Sequence, residues 1–167
     1  RGDVRAHTTS RLMCWVAVDR ALRLAGKRSL CAPFDRWIAA RNEMSRYIWD
    51  TFWNEELGHF VRSKGSRNVD GAMLMMPLVN FIGSTDPQWL ATLDAIQARM
   101  AEPTGGWSES LPPVLPRRQN PHMHMLEALL AWQEAAPDPA FEQPARAILD
   151  LFNRHFLDRE HLVLGEF

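Results

Sequence analysis

Helical periodicity extends along almost the whole chain and is the feature that most restricts its fold. Apolar residues recur at spacings of three and four, whereas β-branched residues are few and no stretch alternates cleanly with a period of two. This spacing predicts six helices, at about residues 9–25, 33–52, 70–82, 87–100, 120–132 and 139–156. The sequence therefore predicts an all-α fold.

The predicted helices are of two kinds that alternate along the chain. The first, third and fifth are apolar on nearly every side, which predicts burial all round, whereas the second, fourth and sixth carry one apolar stripe opposite charged residues. Alternating inner and outer helices predict three helical hairpins that form half of an (α/α)6 toroid, as a single domain over residues 1–167. Because half a ring leaves two apolar edges open, we expect a homodimer or other self-association through those edges.

Composition and charge exclude several classes of function. Hydrophobic residues make up 46% of the chain, and a net charge of −1 without a block of like charges gives no footprint for nucleic acid or an anionic membrane. No apolar run approaches the roughly 18 residues of a membrane span. Two cysteines, Cys14 and Cys31, are too few for a disulfide framework, and we expect both to be reduced and buried. The composition favours a cytoplasmic protein that binds a small, weakly charged ligand and needs no cofactor.

Polar side chains are concentrated in residues 117–125, at the start of the fifth predicted helix. This segment contains two histidines, two arginines and two carboxamides, and a helix N-terminus presents unpaired N–H groups and the positive end of the helix dipole. Such a segment is more typical of a ligand site than of a core. His122, His124 and Glu127 could also be metal ligands, but imidazoles two residues apart on a helix point to different sides. We therefore expect no metal there.

Three phrases in the first part of the chain resemble one enzyme family. They are Arg1-Gly2, the run from Ser10 to Ala17 with Asp19-Arg20-Ala21, and the run from Val69 to Val79. Through them, residues 1–97 resemble the family-15 glycoside hydrolases of the glucoamylase and bacterial trehalase type, which are α/α toroids. The resemblance implies a general acid just before Arg1, a general base far downstream, and a place for Asp70 in the sugar pocket. An Asp immediately before an apolar helix is, however, also an ordinary N-cap.

The remainder of the chain resembles a second family. The phrases are Gly105-Gly106-Trp107, the run from Pro116 to Ala128, and the run from Leu164 to Phe167. Through them, residues 102–167 resemble the N-acylglucosamine 2-epimerase family, which includes aldose–ketose isomerases acting on mannose and related sugars and is also an α/α toroid. The resemblance implies that Asn120 and His124 line the sugar pocket, and that the two proton-transferring histidines lie in helices beyond this chain.

Three neighbouring residues complete the candidate sugar-binding set. Trp107 lies in a glycine-rich loop and is the aromatic residue best placed to stack on a sugar ring, and Arg118 belongs to the same polar phrase as Asn120. Glu127 lies one turn from His124 and either orients its imidazole or, as we favour, forms a structural bond. No residue is predicted to be catalytic.

These observations leave three hypotheses for a chain whose resemblance changes near residues 97–104. The favoured one is an α/α half-toroid, either a fragment or an engineered chimera of two carbohydrate-active enzymes, that lacks catalytic activity alone and retains some sugar binding. The second is a sugar isomerase or epimerase of the aldose–ketose type, completed by oligomerisation. The third is a glycoside hydrolase fragment, which ranks last because hydrolysis needs two placed carboxyl groups.

Overall fold

The computed structural model describes residues 5–102, 106–108, 115–135, 137 and 139–166. The sequence features at Arg1-Gly2, Gly105 and Phe167 lie outside these ranges. The chain forms two compact units, Arg1–Phe81 and Ile82–Phe167. Both the half-toroid arrangement and the single domain stay predictions.

The prediction of an all-α fold is confirmed. Within the described residues there are six α-helices, one 3-10 turn, one π-helical turn and two short antiparallel strand pairs. The first unit contains α1 (Thr8–Lys27), α2 (Phe34–Phe52), β1 (Trp53–Asn54), β2 (His59–Phe60), the 3-10 turn (Gly71–Leu74) and α3 (Met75–Leu78). The second contains α4 (Pro87–Met100), α5 (Gln119–Ala135), α6 (Pro139–Leu151), the π-helical turn (Phe152–Phe156), β3 (Leu157–Asp158) and β4 (Val163–Leu164).

Helix α1 packs against α2 through one face only. Its buried apolar residues follow helical spacing and are Leu12, Trp15, Leu22 and Ala25. Leu24 remains 56% exposed, and Met13 is exposed as well. The prediction that this helix is buried on all sides is therefore wrong, because the buried residues form one stripe and Met13 and Leu24 lie outside it. The expectation that Cys14 and Cys31 are buried is also wrong, since both are exposed.

A buried carboxylate links α1 to α2 on their packed side. Asp19 is almost fully buried, and its Oδ2 accepts a hydrogen bond of 2.6 Å from Nε of Arg23, one turn later on α1. Nη1 of Arg41, on α2, lies 3.7 Å from its other carboxylate oxygen. A carboxylate can be buried at acceptable cost only when it is paired in this way. Asp19 therefore has a structural role within the phrase that resembles the glycoside hydrolases.

Helix α3 is much shorter than the helix predicted over residues 70–82. Its end is marked by Asn80, whose φ of 60° is left-handed. The N–H of Phe81 donates to the carbonyl of Met76 and the N–H of Asn80 donates to the carbonyl of Pro77, which is the hydrogen-bond pattern of a Schellman cap. The apolar run continued past this cap, and for that reason the periodicity predicted a helix that is too long.

Helix α4 begins as the sequence predicts. Oδ1 of Asp86 accepts a hydrogen bond of 2.9 Å from the N–H of Gln88, and Pro87 occupies the first helical position. Its buried face carries Trp89 and Ile96, and the indole of Trp89 meets that of Trp132 edge to face at 5.4 Å. A local cap and a local stripe thus set both the start and the orientation of this helix.

Helices α5 and α6 pack against each other in the second unit. The buried apolar residues of α5 are Met125, Ala128, Leu129 and Trp132, while Leu130 is 54% exposed. The prediction of burial all round is therefore wrong for α5 as well. Helix α6 buries Ala145, Ile148 and Leu151 and continues into the π-helical turn. None of the helices in the described ranges has the length and apolar character needed to cross a membrane.

Candidate functional site at the start of helix α5

The two histidines of the polar phrase occupy opposite sides of α5. His122 is 0% exposed, whereas the side chain of His124 is 61% exposed. A separation of two residues corresponds to a rotation of about 200° around an α-helix, so both imidazoles cannot face the same surface. The prediction that they point to different sides is confirmed, and only His124 is available to a ligand from solvent.

His122 is hydrogen-bonded at both ring nitrogens, and each partner is a backbone group. Nδ1 lies 3.0 Å from the carbonyl oxygen of Arg118, and Nε2 lies 2.9 Å from the backbone nitrogen of Trp107. A carbonyl can only accept and a backbone N–H can only donate. The imidazole is therefore neutral with its proton on Nδ1, where it donates to Arg118, while Nε2 accepts from Trp107.

The surroundings of His122 also oppose its protonation. Burial lowers the pKa of the imidazole below its ordinary value of 6.5, and the nearby charge of Arg117 lowers this pKa further, against the opposite effect of the Arg118 carbonyl. The rings of Phe152 and Phe156 lie 6.5 Å and 5.1 Å from the imidazole centroid. His122 thus has no ring nitrogen left for a substrate or a metal.

The segment that His122 holds is a tight loop after α4. Ala101 and Trp107 form an isolated antiparallel bridge, the N–H of Glu102 donates to the carbonyl of Gly106 at 2.9 Å, and the N–H of Ser108 donates to that of Met100 at 2.7 Å. Trp107 is half-buried, and its indole N–H is shielded from water without a hydrogen-bond partner. This loop therefore places the partly exposed Trp107 against His122, near the start of α5.

Gly106 allows the loop to approach the imidazole closely. Its φ of +81° is left-handed, and a Cβ at this position would lie 2.3 Å from Nε2 of His122 and 2.6 Å from Cδ2 of Leu151. These distances are well inside van der Waals contact. A glycine is thus required here both for the backbone conformation and for the space.

A half-buried ion pair provides a second connection between the loop and the residues just before α5. Nη2 of Arg117 lies 3.5 Å from Oε2 of Glu102, and both side chains are largely buried. The hydroxyl of Ser108 donates to the other carboxylate oxygen, Oε1. Both oxygens of Glu102 are therefore engaged in holding the loop.

His124 and Glu127 form an exposed imidazole–carboxylate pair. Nδ1 of His124 lies 3.0 Å from Oε2 of Glu127, one helical turn later. Nε2 of His124 makes no hydrogen bond to the described part of the chain. Glu127 thus orients the imidazole of His124, which is the alternative that the sequence did not favour.

The other two polar candidates nearby lie at or just before the start of the same helix. Asn120 is exposed there, and Nε of Arg118 lies 3.7 Å from Oε1 of Glu166.

Asp70 is in the first unit and acts there as a helix cap. Its Oδ1 accepts a hydrogen bond of 3.0 Å from the N–H of Ala72, at the start of the 3-10 turn. The cap interpretation of this residue is confirmed. Of the other five sugar-binding candidates, the structure joins His124 to Glu127, whereas Asn120 is exposed without a recorded contact to either.

Four residues that hold this site together were not on the list of candidates. They are Glu102, Ser108, Arg117 and His122. The burial of His122 had a detectable signal, because it continues the stripe of Met125, Leu129 and Trp132 at helical spacing. The bonds made by the others join separate segments and have no periodic signal. Among the described residues, no three His, Cys, Asp or Glu side chains are grouped so that they could hold a metal ion.

Two family models match the chain. The model for glycosyl hydrolases family 15 matches residues 3–118, and the model for N-acylglucosamine 2-epimerase (GlcNAc 2-epimerase) matches residues 84–167. Each match covers half of the chain or more. The chain belongs to both families. The two matches overlap over residues 84–118, which include the change of resemblance that the sequence places near residues 97–104, so the mosaic is confirmed.

Curated relatives of both kinds are similar to parts of the chain. A trehalase of Thermoplasma volcanium is 29% identical over 100 residues, which are 60% of this chain and 16% of the relative. "Trehalase 2" of Sulfolobus acidocaldarius is 35% identical over 100 residues, 60% of this chain and 17% of the relative. A mannose-6-phosphate isomerase of Rhizobium meliloti is 39% identical over 74 residues, 43% of this chain and 19% of the relative. The chain thus spans less than a fifth of the length of these relatives, and no solved structure matches it.

Proposed function

We propose that this chain is a helical protein related to carbohydrate-active enzymes. It has no catalytic activity by itself and binds sugar weakly at the start of α5. The observation that carries the proposal is the state of His122, whose two ring nitrogens are both engaged by backbone groups. Of the two imidazoles in the polar phrase, only that of His124 is left to meet a sugar.

Glycoside hydrolysis requires two carboxyl groups placed on either side of the scissile bond. In the described residues, the buried carboxylate of Asp19 and the half-buried carboxylate of Glu102 are both engaged. Asp19 is paired with Arg23 and Arg41, and Glu102 is paired with Arg117 and Ser108. This supports a structural role for both carboxylates and opposes a hydrolase centre built from them.

Sugar binding is supported by the groups that do face solvent. The carboxamide of Asn120 and the free Nε2 of His124 can each exchange hydrogen bonds with hydroxyl groups, and Trp107 is partly exposed. A site this open excludes little water, so we expect a dissociation constant on the order of 1 mM or weaker.

The second candidate is a sugar isomerase or epimerase completed by oligomerisation. It is favoured by the pair formed by His124 and Glu127, because a carboxylate bonded to Nδ1 holds an imidazole in one orientation. A second acid–base group would have to come from another copy of the chain. The match to a mannose-6-phosphate isomerase supports this class of substrate.

Two measurements test these proposals. Coupled assays follow conversion of mannose to fructose, of mannose 6-phosphate to fructose 6-phosphate, and release of glucose from trehalose. We expect all three to stay at the buffer rate, and sustained turnover that disappears in His124→Gln would establish the second candidate instead.

NMR titration with mannose tests binding and should shift the resonances of the Asn120 and Trp107 amides. Glu134→Gln, an exposed substitution on the same helix, serves as the control and should show the same shifts. No shift at up to about 50 mM mannose, well above the expected dissociation constant, would remove the binding proposal.

A further inference from the structure

We infer that His122 is a positioning residue, which holds the loop carrying Trp107 against the start of α5 and so sets where the indole meets a sugar. The inference deepens the proposed function and rests on it for the identity of the ligand. It depends on the hydrogen bond between the imidazole and the backbone N–H of Trp107, and both residues belong to the second unit.

The two hydrogen bonds of His122 connect segments that are 15 residues apart. Through Nδ1 the imidazole is held by its own helix, at the carbonyl of Arg118, and through Nε2 it receives the N–H of Trp107. The ring therefore acts as a rigid bridge with one donor and one acceptor. Trp107 is bonded through its backbone, and its ring also meets the imidazole edge to face at 6.1 Å between centroids.

The surroundings of the imidazole restrict it to this one arrangement. The apolar rings of Phe152 and Phe156 offer no alternative hydrogen-bond partner, and the Cα of Gly106 occupies the space next to Nε2. An imidazole that rotated away would leave its polar nitrogens unpaired in an apolar environment, which is costly. The position of the loop is thus coupled to the tautomer of His122.

The pair of Glu102 and Arg117 holds the same loop from its other end. That pair acts at the first residue of the loop, whereas His122 acts directly at Trp107. Loss of the His122 side chain should therefore make Trp107 more mobile while the ion pair still holds the loop. The effect on the position of Trp107 can then be measured in a chain that remains folded.

Two substitutions divide the functions of the imidazole. His122→Gln places an amide oxygen near the original position of Nε2, where it can accept from Trp107. His122→Asn places an amide nitrogen near the position of Nδ1, where it can donate to Arg118, but it does not reach Trp107. The two variants differ in which bond they retain, and His122→Asn also removes one methylene more than His122→Gln.

The first readout is spectroscopic and needs no sugar. Nitrogen-15 NMR of the wild-type chain should show His122 as the neutral tautomer protonated at Nδ1. Hydrogen exchange of the Trp107 amide should be at least about tenfold faster in His122→Asn than in the wild type and within about threefold of it in His122→Gln. The Ser108 amide, bonded to Met100, serves as the internal reference.

The second readout is the mannose titration. We expect the shift of the Trp107 indole resonance to be lost in His122→Asn and retained in His122→Gln. A proton on Nε2, or an unchanged Trp107 amide in His122→Asn, would overturn the inference. If wild-type chain shows the expected tautomer and exchange rates but no response to mannose, the positioning of Trp107 is supported and the proposed sugar binding fails.

Discussion

Gly106 is the residue whose missing side chain matters most to the second unit. Its Cα faces Nε2 of His122 and the side chain of Leu151, and its φ is left-handed. An added methyl group would strain the backbone and displace the loop from the imidazole. The close approach of the loop to α5 depends on this one position.

Replacement of Gly106 by alanine should therefore lower the free energy of unfolding by about 2–4 kcal/mol. Urea denaturation followed by tryptophan fluorescence measures the change. The matched control is Gly65→Ala, where φ is +75° and no atom lies within 4 Å of the added Cβ, with an expected loss of about 1 kcal/mol. Equal losses at the two positions would show that the space beside His122 is irrelevant.

Protonation of His122 should destabilise the chain at acidic pH. Burial lowers the pKa of the folded imidazole below its ordinary value of 6.5, so the unfolded chain binds the proton more tightly than the folded one. The contribution to stability is complete above the unfolded pKa and is lost as the pH falls below it, by up to about 1.4 kcal/mol for each pH unit. Acidic pH therefore lowers the free energy of unfolding through this histidine.

The comparison of wild type with His122→Gln isolates this effect from the other titrating groups. Urea denaturation at several pH values between 7.5 and 5 should show a steeper loss of stability in the wild type than in the variant. Parallel curves for wild type and His122→Gln would contradict the buried, neutral state.

At the scale of elements, the starts and ends of helices are set by short local signals. Asp86 caps α4 and Asp70 caps the 3-10 turn, each by accepting from the N–H two residues later. Asn80 ends α3 through its left-handed conformation. These signals are visible in the sequence, but the one at Asn80 lies inside an apolar run whose periodicity predicts a continued helix.

The cap at Asp70 predicts a specific pattern of substitution. Asp70→Ala should lower the free energy of unfolding by about 1 kcal/mol, whereas Asp70→Asn should stay within about 0.5 kcal/mol of the wild type, because a carboxamide oxygen also caps. Glu43→Ala, at an exposed position on α2, should change little. A cost for Asn as large as that for Ala would point to a need for the charge, as a sugar-pocket role would imply.

Helices α1 and α5 each bury one face and expose apolar residues on another. This is the main difference between the predicted and the observed elements. Both helices contain more apolar residues than a single buried stripe needs, and for this reason burial on all sides was predicted. Whether the additional residues are buried depends on which other elements pack against the helix. Leu24 and Leu130 therefore remain exposed within their own units.

At the scale of the whole molecule, those exposed side chains predict self-association. Sedimentation velocity should show a concentration-dependent species of twice the 19.2 kDa mass. Leu24→Glu should weaken association by about tenfold or more, since burial of a leucine contributes about 1.5–3 kcal/mol. Ser10→Glu introduces the same charge at an exposed site on the same helix and should have little effect. A monomer at about 100 μM, ample for a micromolar interface, would contradict the expectation.

The sequence by itself determined the helical class, the positions of α1, α2 and α4, the caps at Asp70 and Asp86, and the two families. These properties reside in local spacing, in single capping side chains or in long runs of similar residues, all of which are present before the chain folds. They needed no knowledge of distant contacts.

Only the tertiary structure decided which groups of the candidate site are free. Periodicity could place His122 on the buried side of α5, yet its partner at Trp107, and the bond from Glu102 to Arg117, each join segments about 15 residues apart. Such contacts depend on how a loop closes and on the space that Gly106 leaves. The sequence consequently predicted that His122 is part of a ligand site. In the structure its imidazole instead connects two segments of the backbone, and only His124 is exposed to solvent.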